Sequence, residues 1–213
     1  MEFEIWAIRI AVILFAVTIH EYAHGKAALS LGDPTAKNAG RLTLNPLSHL
    51  DPVGTVFLLF FHFGWAKPVP VDTRYFTHRK RDTILMALSG PVSNLAAAAV
   101  IGIFIRYYNI NWEIYRFIMI YALLINIGLG LFNLIPIPPL DGSHVLENIL
   151  PEKAMYRFYK IRRYAPSVLM GILIIDFFLN LHIFGRLLSS PIYEIAELMG
   201  GKNFEHLRRI YGF

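Results

Sequence analysis

The stretch that decides the fold and chemistry of this chain is His20-Glu21-Tyr22-Ala23-His24, two thirds of the way along an apolar run from Ile5 to Leu31. Residues four apart share one face of a helix, so both imidazoles can hold the same zinc ion. Glu21 lies between them and can act as general base on a metal-bound water. The pattern predicts zinc-assisted hydrolysis; the alternative is a pair of hydrogen-bonded structural histidines. Ionisable groups cost about 2.5 to 3.5 kcal/mol each within a membrane span, which favours the metal.

Composition places this chain in a membrane. Of its 213 residues, 55% are hydrophobic and only 16% are charged. It has no cysteine, which excludes thiol chemistry, disulfides and cysteine-ligated metal. The formal charge of +5 does not indicate nucleic acid as a partner, because the basic residues cluster at the ends of apolar segments. The acidic start Met1-Glu2-Phe3-Glu4 favours a retained span over a cleaved signal peptide.

The apolar runs predict an all-α polytopic membrane protein with about four full transmembrane helices. Each run is long enough to cross a hydrocarbon core of about 30 Å. The four runs are Ile5 to Leu31, Asp82 to Ile105, Ile114 to Ile135 and Ala165 to Gly185. A fifth apolar piece, Asp51 to Trp65, is too short to span and predicts a re-entrant or interfacial segment.

A short extended or β region is predicted near residues 40–75. Leu42-Thr43-Leu44 alternates like a strand, and Lys67-Pro68-Val69-Pro70-Val71 cannot be helical. Unpaired backbone groups in such a segment would be available to another strand.

The chain is interpreted as a single membrane-embedded domain, residues 1–213, with a catalytic core at about 5–150. The remainder, about 164–213, is predicted to hold a last span and an interfacial helix. Between these parts, Glu152 to Arg163 is basic and amphipathic, which suits an anionic lipid surface.

Basic residues predict the orientation in a cell membrane. Segments 32–81 and 151–163 hold seven and five Lys or Arg, whereas 106–116 and 186–213 hold two and four. By the positive-inside rule the first two segments are cytoplasmic and the N-terminus is outside. His24 then lies about 10 Å from the cytoplasmic end of its helix, so the active site is expected toward the cytoplasmic leaflet.

A catalytic zinc usually takes three protein ligands, and Asp141 is the predicted third. It follows the helix-breaking Pro136-Ile137-Pro138-Pro139, and Gly142 lets the chain turn closely. A helix-capping role is the alternative for Asp141. The rival ligands, each also readable as a structural histidine, are His49, His62 and His144.

Three further polar residues lie inside predicted spans. Asn94 and Asn133 are candidates for binding substrate carbonyls or an oxyanion, or for holding helices together. Asp176 is interpreted as part of a polar helix contact.

Three stretches together resemble the site-2 protease family of intramembrane zinc metalloproteases. They are His20 to His24, Gly90-Pro91-Val92-Ser93-Asn94, and Asn133 through Asp141-Gly142. Two further segments, residues 40–46 and 64–71, resemble the small prokaryotic members. The resemblance covers about residues 5–150.

This resemblance implies one zinc ion per chain held by His20, His24 and Asp141, with Glu21 as base and Asn133 near the catalytic water or substrate. It implies that the substrate is a transmembrane helix of another membrane protein. The alternative function is a membrane metal-ion transporter or zinc-binding membrane protein, since intramembrane His and Asp also line ion paths. A transporter is expected to spread ligands along several spans, whereas here they concentrate at one depth.

Overall fold

The structure, a computed structural model, describes residues 2–61, 64–108 and 112–211, with side chains for all of these except residues 2, 3 and 58–61. Helices dominate this part of the chain, and short irregular segments join them. The α-helices are α1 (Glu2–Ser30), α2 (Thr35–Asn38), α3 (Pro52–Phe61), α4 (Arg79–Tyr107), α5 (Glu113–Asn133), α6 (Asp141–Ile149), α7 (Glu152–Arg162), α8 (Ala165–Leu179) and α9 (Ile183–Tyr211).

The predicted all-α membrane architecture is confirmed. Three helices, α1, α4 and α5, are long and apolar enough to cross a membrane. A fourth crossing is counted if α8 and α9, which meet at a bend of 92°, form one broken span.

The main apolar core lies among α4, α5 and α9. One face of α9 packs on the two spans, with Ala196 and Phe204 almost fully buried. Small residues allow the close approach, because a β-carbon at Gly102 of α4 would meet the backbone of Met199. The buried members of this core are Ala98, Ile105, Ile120, Leu123, Ile127, Ala196, Phe204 and Leu207.

The predicted short extended or β region near residues 40–75 is wrong. Across its described residues, 40–61 and 64–75, the pairing is a single isolated antiparallel bridge between Leu50 and Ala66. Pro68 and Pro70 have no N–H to donate to a ladder. After Leu42-Thr43-Leu44, the side chain of Asn45 accepts from the Leu47 N–H and opens a 3₁₀ turn at Pro46–His49. The short apolar piece forms α3.

The last predicted span, Ala165 to Gly185, is interrupted. Helix α8 ends at Leu179, and 15 residues rise only about 22 Å. Asn180 and His182 then take positive φ angles of 50° and 51°. Asp176 stabilises the bend, since its Oδ1 accepts from the Ile183 N–H at 2.7 Å.

Candidate metal centre

One face of α4 lies against the two histidines of α1. Met86, Gly90 and Asn94 are each four residues apart, so they form a stripe along α4. His20 contacts Asn94, near the middle of α4, and His24 contacts Met86, nearer its start. The helices therefore run antiparallel, with the stripe matching the spacing of the imidazoles.

These contacts fix which nitrogen of each imidazole carries the proton. The Nδ1 of His24 lies 2.8 Å from the Met86 carbonyl oxygen, which can only accept, so Nδ1–H donates. The amide nitrogen of Asn94 donates to the Ala16 carbonyl and to Asn126 Oδ1, both at 3.0 Å. Its Oδ1 therefore accepts from His20 Nδ1–H, at 2.6 Å. In the neutral form of both imidazoles the Nε2 lone pairs are left for a metal, which is the usual arrangement of zinc-binding histidines.

The two Nε2 atoms converge with one oxygen of Asp141. The Nε2 atoms are 3.1 Å apart, and Asp141 Oδ2 lies 3.0 Å from His20 Nε2 and 3.3 Å from His24 Nε2. Ligands held at about 2.0 to 2.1 Å by a tetrahedral zinc ion lie about 3.3 Å apart. Three electron-pair donors this close repel one another unless a metal ion or a proton lies among them. Their chemistry and spacing both fit zinc.

Asp141 reaches this position because α6 begins against the end of α5. A β-carbon at Gly142 would lie 2.7 Å from the Ile135 carbonyl oxygen, so glycine is required for this approach. Asp141 is the first residue of α6, and no side chain caps that helix. Its carboxylate contacts the imidazoles and retains a side-chain exposure of 18%.

Gly90 leaves the space in which the two imidazoles meet. A β-carbon there would lie 2.7 Å from His20 Nε2 and would also collide with His24 Nε2. Real β-carbons are not found this close to other atoms, so a side chain at residue 90 would displace the ligand atoms.

Glu21 follows His20 on α1 and is half-buried. Its Oε2 accepts a hydrogen bond of 2.8 Å from the backbone N–H of Val69. The carboxylate is therefore fixed from outside α1.

The remaining candidates lie apart from this cluster. In the described part of the chain, His20, His24 and Asp141 form the one group of three or more potential ligands. The Nε2 of His49 contacts the Thr43 carbonyl at 2.9 Å. His144 is half-buried one turn after Asp141, and His62 is outside the described residues.

The two predicted asparagines differ in their surroundings. Asn94 is fully buried, and its contacts with His20, Ala16 and Asn126 use both ends of the amide. Asn133 is half-buried in the last turn of α5, where its Nδ2 donates to the Leu129 carbonyl at 3.0 Å.

Four groups have roles in the site that the sequence did not predict: the Met86 carbonyl, Gly90, Asn126 and the Val69 N–H. Only the stripe on α4 had a readable signal, because a glycine four residues before Asn94 must share its face. The other groups depend on how separate segments pack.

Comparison with known proteins gives one family. The family model described as peptidase family M50 matches residues 100–175, which include Asn133 and Asp141. The "Putative zinc metalloprotease" YwhC of Bacillus subtilis (strain 168) is 41% identical over 151 residues, which are 65% of this chain and 67% of YwhC.

Two more distant relatives match a larger share of this chain. The "Putative zinc metalloprotease Rip2" of Mycolicibacterium smegmatis is 26% identical over 90% of this chain and 73% of its own length. "Zinc metalloprotease MJ0392" of Methanocaldococcus jannaschii is 26% identical over 90% of this chain and 49% of its own length. No solved structure matches the chain.

Proposed function

The chain belongs to peptidase family M50, the site-2 protease family, and from this premise we propose that it hydrolyses a peptide bond within or near a transmembrane helix of another membrane protein. It is a zinc metalloprotease with several apolar membrane helices. The substrate, the residue roles and the orientation given below are part of the proposal.

The convergence of His20 Nε2, His24 Nε2 and Asp141 Oδ2 carries this proposal. These three residues are the proposed ligands of one zinc ion per chain. When bound, zinc activates a water and polarises the scissile carbonyl. Asn94 and the Met86 carbonyl hold the imidazoles with Nε2 facing inward.

Glu21 is the proposed general base. Its carboxylate accepts a proton from the attacking water and passes it to the nitrogen of the departing amine. Asn133 is the proposed contact for a substrate carbonyl. Asn94 is assigned the orientation of His20 rather than an oxyanion role, since protein groups already use its amide.

The position of the centre between apolar helices supports the proposed substrate class. A transmembrane helix hides its peptide bonds in its own hydrogen bonds, so it must unwind locally before hydrolysis. We place the N-terminus outside the cell and the centre toward the cytoplasmic leaflet. The reason is that the basic connection 32–81 follows the end of α1 that carries His20 and His24. The α8–α9 pair is the proposed fourth span.

The test uses the full chain in liposomes with a transmembrane peptide as substrate. Wild type is expected to bind about one zinc per chain and to cleave the peptide. Glu21→Gln is expected to keep zinc and lose cleavage. Glu197→Gln, the same change at an exposed position of α9, is the matched control and should cleave normally.

Zinc flux across the membrane that persists in Glu21→Gln, without cleavage by wild type, would favour a transporter and contradict the proposal. Cleavage by Glu21→Gln at the wild-type rate would remove Glu21 as the base.

A further inference from the structure

Residues 67–71, which we call the strap, pass over α1 beside the candidate centre. The segment is non-helical and contains the sequence Pro68-Val69-Pro70. Each proline lacks an N–H, so Val69 carries the single amide donor among these three residues. Pro70 also disfavours helical backbone at Val69. The backbone N–H of Val69 therefore lies between two conformationally restricted prolines.

Both the backbone and the side chain of Val69 engage one face of α1. Its N–H donates to Glu21 Oε2 at 2.8 Å. Its side chain is only 7% exposed and packs beside Gly25, where a β-carbon would lie 3.1 Å from Val69 Cγ1. Glu21 and Gly25 are four residues apart and share that face. The side-chain contact is thus a second attachment of Val69 to the face of α1 that carries Glu21.

The strap is anchored at Lys67, two residues before this contact. The Lys67 carbonyl accepts from Arg41 Nη2 at 2.8 Å. The Lys67 N–H donates to the His49 carbonyl at 2.9 Å. Two bonds on one residue therefore fix this end of the strap to the segment that follows α2.

We propose that Val69 is a positioning residue for the reaction. Its N–H holds Glu21 Oε2 and so turns Oε1 toward the water that Glu21 deprotonates. A general base must meet its proton within about 2.6 to 3.2 Å, so a freely rotating carboxylate loses productive geometry. This inference rests on the proposed role of Glu21, and the second experiment below separates the two.

The first experiment replaces the amide at Val69 by an ester, by incorporating the α-hydroxy acid equivalent of valine. The change deletes the N–H and keeps the side chain. We expect kcat to fall roughly tenfold to a hundredfold, the range for one hydrogen bond to a charged group. KM and zinc content should stay at wild-type values.

Val69→Ala is the matched variant. It keeps the donor and shortens the side chain, so its loss of kcat should be much smaller than that of the ester. An ester variant with wild-type kcat, or one that changes only KM, would overturn the positioning role.

The second experiment needs no activity. Hydrogen exchange of residues 67–71 is measured in wild type, Glu21→Ala and Glu21→Gln. Glu21→Ala removes the acceptor, so one amide should exchange at least about tenfold faster than in wild type. Glu21→Gln retains an acceptor oxygen and should keep most of the protection.

Equal exchange in wild type and Glu21→Ala would overturn the inference. If wild type fails to cleave any transmembrane peptide while this exchange pattern is found, the proposed function fails and the contact between Val69 and Glu21 stands.

Discussion

Polar contacts between α1 and α4 differ in burial from those in the loop before α4. Between α1 and α4, Asn94 is fully buried and its amide is shared among His20, Ala16 and Asn126. In the loop before α4, Asp72 and Arg74 form an ion pair at 2.6 Å in which the arginine side chain is 84% exposed. Water competes with the exposed ion pair between Asp72 and Arg74, whereas it does not reach the buried hydrogen bonds of Asn94. Substitutions between α1 and α4 should therefore alter metal binding, whereas substitutions in the loop should alter it little.

The largest effect is expected from Gly90→Ala. The new methyl would occupy the space of His20 Nε2, so the imidazoles must separate and zinc binding should fall below detection. Metal analysis of the purified protein and peptide cleavage measure this. Gly128→Ala is the control, because its methyl would meet only the flexible Ile192 Cδ1, at 3.4 Å. Full zinc content in Gly90→Ala would show that the ligand atoms do not converge in the space beside Gly90.

Asn94→Ala should have the second largest effect. It deprives His20 Nδ1–H of its acceptor, so the imidazole loses its fixed orientation. Zinc affinity, measured by competition with a chelator, should fall about tenfold to a hundredfold. Asn126→Ala acts one step further away, through Asn94, and should cost less affinity. Equal losses in the two variants would mean that the asparagines serve helix packing alone.

Arg162→Ala tests an ion pair of intermediate burial. Arg162 donates two bonds to Glu147, at 2.9 and 2.8 Å, and joins α7 to α6. Glu147 is 13% exposed, so its lost partner should cost about 1 kcal/mol of stability. Faster proteolysis between α6 and α7, with zinc content retained, is the expected readout. Unchanged proteolysis would indicate that other contacts hold α7.

The smallest effect is expected in the loop. Hydrogen bonds from Arg74 lower the pKa of Asp72 to about 2. Because this pKa is depressed on folding, the ion pair stabilises the folded state at pH values above the ordinary pKa of about 3.9. This stabilisation is lost as the pH falls toward 2. Arg74→Ala should raise the pKa of Asp72 toward its ordinary value, as measured by carbon NMR titration, with zinc binding at pH 7 unaffected. A large loss of zinc would contradict the division between the two places.

The same division explains what the sequence could predict. The spacing of His20 and His24 is local to one helix, and the proline break before Asp141 is local to one connection. Both could be read from the residues, as could the long apolar spans. In contrast, the clearance at Gly90 and the bond from Val69 to Glu21 join residues more than 40 positions apart. No local pattern encodes such contacts.

The wrong predictions have local causes too. Alternation at Leu42-Thr43-Leu44 suggested a strand, but Asn45 and Pro46 turn the chain at once. Hydropathy alone extended the last span past Asn180, a residue type that tolerates the left-handed conformation found there. Apolar character reports burial in lipid or protein and does not report a bend.

We propose that His20, His24 and Asp141 hold one zinc ion, and the roles given to the surrounding residues depend on it. X-ray absorption at the zinc edge of the purified chain tests it most directly, in wild type and in His20→Ala, His24→Ala and Asp141→Ala. We expect one zinc per chain, with two imidazole nitrogens and oxygen ligands at about 2.0 to 2.2 Å, and a changed or absent signal in every variant. A zinc environment without imidazole, or one that all three variants preserve, would contradict it.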